Sequence, residues 1–207
     1  RTPVLARLCA RSRFQVTDPA SVRDLALTVG YHGGIVVYVN GRELIRRNLP
    51  AGVLGAQVLA DGYPQEAFVN TNGSILDYWR SWDWKPDAER DRRLALRERA
   101  VQSVPIPPGF LRRGVNVLAL EIIRAPYHKV LEEKKRASPG REGCPYNFCF
   151  NTCELRRVQL TARSAAGLVP AAVRPKGLQV WNSDPLATDF DLDFGNPADS
   201  LCPIRLV

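Results

Sequence analysis

Three of the four tryptophans in this 207-residue chain lie within eight residues, "YWRSWDWK", Tyr78 to Lys85. Trp presents a large rigid face with little entropy to lose, and Arg presents a fixed fork of donors. Trp79, Trp82 and Trp84, interleaved with Arg80 and Asp83, can cover the apolar C–H face of a sugar ring and bond its hydroxyls. In an extended chain Trp82 and Trp84 share one side and Trp79 takes the other; in a helix Trp79 and Trp82 coincide. Either way two of the three can build one platform. The competing reading is that all three plug one end of the fold and hold a long loop down.

A second polar and aromatic run, "RAPYHK" from Arg124 to Lys129, adds Arg124 as a hydroxyl partner and Tyr127 as a rim. His128 has neither a nucleophile nor a metal set beside it, and reads as a surface or hydrogen-bonding histidine. Tyr146, Asn147, Phe148 and Asn151 could line a pocket wall. The cysteines around them suggest a packed, cross-linked loop equally well.

Metal chemistry is weakly signalled. Cys144, Cys149 and Cys153 are spaced C-x4-C-x3-C, with only His32 and His128 as histidines, which is not the paired four-ligand pattern of zinc. One disulfide in the cluster, or buried thiols, is the plainer expectation. With Cys9 and Cys202 the count is five, so one thiol is left over or pairs outside the chain. No cofactor is expected beyond a structural calcium, which needs several oxygen ligands. Asn70 to Ser74 with Asp61 or Asp77, or the cluster Asp189, Asp191 and Asp193, could supply them. The last three alternate as a strand would and lack the glycine and terminal glutamate of an EF-hand loop.

Enzyme motifs are poor. There is no G-x-S-x-G, H-E-x-x-H, P-loop or dinucleotide fingerprint. A glycosidase needs two carboxylates about 5–10 Å apart. Glu66, Asp77, Asp83 and Glu121 exist, but no local motif commits any two of them. Glu121 reads as a paired or edge carboxylate on a strand.

The net charge is +8, with 24 arginines and 5 lysines. The charges are scattered and mixed with acids, as in "DAERDRRLALRER", so no nucleic-acid partner is expected. No apolar run approaches a membrane span, and no membrane partner is expected. A chain with no methionine that begins at Arg1 is expected to be a processed product or a fragment, its export signal out of view.

The elements that must position these residues are strands. Val22 to Tyr31 alternates Leu25, Leu27, Val29 and Tyr31 with polar or small residues, a half-buried strand. "HGG" turns the chain into a second strand, Ile35 to Val39. Asn40-Gly41 then marks a hairpin, because both residues tolerate positive φ. "RELIRRNL" returns as a third strand, ended by Pro50-Ala51-Gly52. From Gly52 to about Arg93 the pattern is irregular, a long insertion carrying the tryptophans, with a short helix over Asp87 to Arg93. "RAVQSVPIP" is another strand, followed by a short turn through Phe110 and Leu111. Val115 to Ile123 is apolar on both faces and predicts a central strand. Tyr127 to Gly143 reads as a charged loop, and "CELRRVQLTAR" from Cys153 as a further strand.

The expected class is therefore all-β. "LALTVGYHGGIVVYVNGREL", with its strand, Gly-Gly and "VVYVNG" hairpin, followed much later by "IPPGFLRRGVNVLALEIIR", resembles the galactose-binding-like β-sandwich. That resemblance covers roughly Phe14 to Arg163. It implies a jelly-roll β-sandwich with long interstrand loops and a C-terminal extension. The implied division is a lead-in over 1–13, a sandwich over 14–164, a linker over 165–177, and an extension or the start of a further domain over 178–207. It also implies a non-catalytic carbohydrate-binding module of a secreted or cell-surface bacterial glycoside hydrolase. The partners would be a polysaccharide or oligosaccharide, neutral or anionic, and an attached catalytic domain. Trp79, Arg80, Trp82, Asp83, Trp84, Arg124 and Tyr127 are the expected ligand-binding residues. The alternative is a structural domain that braces its catalytic neighbour.

Overall fold

The computed structural model describes residues 5–76, 87–133, 150–162 and 168–169. Among these the chain forms eight strands in two antiparallel sheets: β1 Arg7–Val16, β2 Ala26–His32, β3 Gly34–Val39, β4 Arg42–Arg47, β5 Arg99–Pro105, β6 Gly114–Ile123, β7 Glu154–Thr161 and β8 Leu168–Val169. The first sheet runs β4-β3-β6-β1-β8 and the second β5-β2-β7. The helices are short: α1 Ala88–Ala95 and α2 Lys129–Glu133, with one-turn 3-10 helices at Gln65–Ala67 and Pro108–Phe110. The all-β expectation is met. No helix among the described residues is long and apolar enough to cross a membrane.

Period-two alternation builds the core between the sheets. Phe14 and Val16 of β1, Leu27, Val29 and Tyr31 of β2, Ile35, Val37 and Val39 of β3, Leu118, Leu120 and Ile122 of β6, and Val158 and Leu160 of β7 meet there. Each fully buried side chain of this size contributes about 1.5–3 kcal/mol over its exposed state. As expected of a strand apolar on both faces, β6 is interior, paired with β3 on one side and β1 on the other.

The lead-in is where the sequence expectation fails. Residues 7–16 are a full strand, paired with β6 from Arg7↔Ile123 to Val16↔Gly114. Its alternation is real, with Ala10, Ser12, Phe14 and Val16 buried and Arg11, Arg13 and Gln15 exposed. Two of the inward residues are Ala and Ser, so the hydrophobic signal is faint, and only the partner strand makes the position a core. The expected linker over 165–177 likewise contributes β8, whose Leu168 and Val169 pair with Val16 and Gln15.

β2 starts four residues later than its pattern suggests. Val22 and Leu25 are buried, but a turn closed by Ser21 N–H on Asp18 O and a left-handed Asp24 (φ 53°) keep them out of the ladder. The "HGG" link carries the chain from one sheet to the other. Gly33 has φ +98°, and a Cβ there would lie 2.3 Å from Ile123 O and 2.8 Å from Thr152 O, so no larger residue fits.

The Asn40-Gly41 hairpin forms as expected, with φ of 52° and 79°. Asn40 also ties the turn to the rest of the sheet. Its Nδ2 donates to Phe110 O and Asn116 Oδ1, and its Oδ1 accepts from Val117 N–H. Asn116, fully buried, is held by Arg112 N–H on its Oδ1 while its Nδ2 donates to Arg112 O and Gly114 O.

Candidate functional site

The described part of the long insertion, up to residue 76, does not wander. It joins a second, smaller core at one end of the sandwich. Asn48, left-handed at φ 58°, turns the chain off β4. Its Oδ1 accepts from Tyr31 OH at 3.0 Å, its carbonyl accepts from Asp61 N–H, and its Nδ2 donates to Asp61 Oδ2 at 3.3 Å. Burial pushes the Tyr31 phenol up to about 12, so it stays a donor. Arg99 of β5 then clamps the returning chain. Its guanidinium donates to Gly33 O, Asp61 O and Gly62 O and lies 4.1 Å from the Tyr63 ring centroid. Tyr63 OH accepts the Gly33 N–H at 2.7 Å, and burial raises its pKa.

Phe68 is the centre of this end core. Its ring packs edge-on against Phe150 at 5.2 Å and Tyr63 at 6.4 Å, and stacks with His128 at 6.4 Å. Ala60, Ala67, Val69, Leu76, Ala125, Val130 and Leu131 complete the buried set. Arg97, 4% exposed, lies 4.8 Å from the Phe150 ring, a cation buried among aromatic faces. The run after Tyr127, expected to be a charged loop, contributes α2, whose Val130 and Leu131 face this core.

Helix α1 begins where the sequence suggests, with Asp87 as its N-cap accepting Arg90 N–H. It is fastened to the 66–69 segment by charge and hydrogen bonds. Glu89 bonds Arg92 and Arg93, Arg92 also pairs with Glu66, and Arg93 donates to Val69 O. The two arginines pull the Glu89 carboxyl down to about 2.

Of the expected binding residues, Trp79, Arg80, Trp82, Asp83 and Trp84 lie outside the described residues. Arg124 and Tyr127 are placed, and both belong to this end. Arg124 is fixed through its main chain, its N–H on Ala6 O and its carbonyl accepting from Ala60 N–H. Its charge counteracts part of the burial that pushes the Cys153 thiol up to about 12. Tyr127 is half-buried on the end core, and its hydroxyl donates to Phe150 O at 3.1 Å. Of the residues flanking the tryptophan segment, Leu76 is anchored here. Leu76 is fully buried with its N–H on Phe68 O, and Asp87 caps α1.

Sequence reasoning missed Tyr63, Phe68, Phe150, Arg97 and Arg99. No period marks them; the only signal was aromatic and arginine content in a segment poor in aliphatic residues. Asp77, Asp189, Asp191 and Asp193 lie outside the described residues, as do Cys144, Cys149 and Cys202. In the turn Asn70–Ser74, Asn72 Oδ1 accepts both the N–H and the hydroxyl of Ser74, and Asn70 Nδ2 donates to Ser74 Oγ and Ile75 O. Among the described residues no group of three His, Cys, Asp or Glu side chains is placed to hold a metal ion. Glu121 is paired, as expected, with Arg7 at 2.9 Å.

No protein-family model matches the chain, and neither does any curated protein or solved structure.

Proposed function

We propose that the chain is a non-catalytic carbohydrate-binding module, a jelly-roll sandwich similar to the galactose-binding-like domains. It would direct an attached enzyme to a polysaccharide outside the cell. The observation that carries this reading is where the aromatic segment is tethered. Leu76, on one side of Trp79, Trp82 and Trp84, is buried in the end core that bears Tyr127, and Asp87, on the other, caps the helix α1 that Arg93 ties to Val69 O of that core. The scaffold thus holds both flanks of the segment that carries the tryptophans and Arg80, the usual arrangement for a binding loop. The exchange of successive strands between the two sheets supports the jelly-roll form. The net charge of +8 favours an acidic or sulfated glycan. Affinity is modest, since one or two stacked rings must offset the ordering of the sugar.

Tryptophan emission during titration with neutral and anionic polysaccharides tests this. A binding glycan shifts the emission. Trp82→Ala with Trp84→Ala abolishes the shift while the circular dichroism stays unchanged, and Tyr127→Ala weakens binding severalfold. The reading fails if no polysaccharide moves the emission, or if binding survives the double variant.

The second reading, a brace for a catalytic neighbour, draws on the loop after β4. Val53 is 97% exposed and Leu59 40% exposed. The loop is held in place by Arg46 on Pro50 O and Gly52 O and by Arg7 on Leu54 O and Gly55 O. A fixed apolar tip of this kind suits a docking contact. Val53→Asp would release an attached domain while leaving the glycan titration intact.

A further inference from the structure

The loop that leads from β4 to the end core is uncharged. None of the 13 residues from Asn48 to Ala60 is ionisable, in a chain that is 24% charged. Val53 is 97% exposed and Leu59 40%, and the small residues Ala51, Gly52, Gly55 and Ala56 are exposed with them.

The backbone of this loop is satisfied on one side only. Its carbonyls are taken from within the protein: Arg46 donates to Pro50 O and Gly52 O, and Arg7 donates to Leu54 O and Gly55 O. Both guanidinium groups are themselves paired, Arg46 with Glu43 at 2.7 Å and Arg7 with Glu121 at 2.9 Å. The N–H groups of Ala51 to Gln57, by contrast, meet no acceptor among the described residues. Acceptors and charges are thus met from beneath, and the donors are left to whatever lies outside.

That asymmetry selects a partner. Taking backbone out of water is costly for each polar group left unpaired. A protein surface would bring one N–H for each C=O and find few acceptors here for its donors. The interfacial layer of a phospholipid bilayer brings phosphate and ester oxygens, which only accept, above hydrocarbon that takes up an apolar tip.

We propose that the 50–59 loop is a peripheral membrane-docking tip. Val53 enters the acyl boundary, and the N–H groups of residues 51–57 meet lipid phosphate and ester oxygens. One valine and part of a leucine anchor only weakly, and the net charge of +8 adds attraction to anionic headgroups as the second signal. The glycan reading does not depend on this loop.

Sedimentation of the full chain with lipid vesicles tests the tip. Phosphatidylcholine vesicles containing phosphatidylglycerol should carry the protein down, and phosphatidylcholine alone should carry down about tenfold less. Val53→Asp should weaken that partition by about tenfold or more. Val53→Trp should strengthen it severalfold and add emission that brominated acyl chains quench. Val53 is exposed, so neither variant endangers the core. Arg46→Lys keeps the charge but cannot reach both carbonyls and Glu43, and should weaken the partition severalfold. The proposal is overturned if wild type does not sediment with anionic vesicles. It is equally overturned if Val53→Asp sediments as wild type does, which leaves charge alone as the cause. Release of an attached protein domain by Val53→Asp, with no vesicle binding by wild type, assigns the tip to a protein partner and overturns it as well.

Discussion

The sandwich core and the end core solve the same burial problem by different means. Between the sheets, aliphatic residues at every second position meet across ladders whose backbone groups bond each other. At the end, the described residues of the insertion have almost no ladder, a single Val69↔Ile75 bridge. Its carbonyls are taken instead by arginine forks, Arg99 on Gly33, Asp61 and Gly62 and Arg93 on Val69, while aromatic rings fill the volume around Phe68. A ladder distributes its stability over many equivalent bonds. The end core concentrates it in a few side chains, so single substitutions should separate the two.

The largest effect is expected at Phe68, which is fully buried. Phe68→Ala should cost about 3–5 kcal/mol. If the end core opens on its own, amides from 60 to 76 lose hydrogen-exchange protection while those of β3 and β6 keep theirs. Equal loss in both would show a single cooperative unit and erase the contrast. The counterpart in the sandwich is Asn116→Ala, which strands Arg112 N–H and takes one of two acceptors from the Asn40 amide at a site with no exposure. About 3 kcal/mol is expected in urea denaturation, with protection in β3 and β6 falling together. Arg99→Ala comes next, at roughly 2 kcal/mol, because two of the three carbonyls it leaves can turn to water. Arg99→Lys should recover only part of that, since one ammonium cannot reach three carbonyls and stack on Tyr63.

The smallest effect lies at the junction and shows only with pH. His32 Nδ1 is 3.1 Å from Glu154 Oε2, and the ring beside it holds the Glu154 carboxyl below its ordinary value of 4.5. A depressed carboxylate stabilises the fold above its unfolded pKa and loses that contribution as pH falls through the folded one. Thermal melting of wild type should therefore decline below about pH 4.5 more steeply than that of Glu154→Gln. Parallel profiles would remove the pair from the account. Glu154 is about a third exposed, so the difference is modest.

Legibility in the sequence followed the same division. β3, the Asn40-Gly41 turn and β6 are written in local patterns: β-branched runs and a two-residue turn signal. β1 was passed over because Ala10 and Ser12 carry little apolar signal, although its alternation is complete. Of the candidate site, Arg124 and Tyr127 were found from composition at a strand exit, and both were expected to face a ligand. The structure adds a bond the sequence did not suggest, from the Tyr127 hydroxyl to Phe150 O. The side chains that organise that end, Arg99 and Phe68, are 31 residues apart in the chain. Nothing local marks them as neighbours.

By itself the sequence determined the all-β class, the hairpin, the interior strand and the boundaries of an insertion rich in tryptophan and arginine. These depend on side-chain period and on backbone freedom at single residues, both of which act within a few positions. Only the tertiary structure decided that the insertion closes into a core of its own. It also decided that β1 completes the larger sheet, and that Leu76 and Tyr127 come to one end. Those outcomes depend on which carbonyls an arginine can reach and which rings share a volume, and the fold settles both across distant parts of the chain.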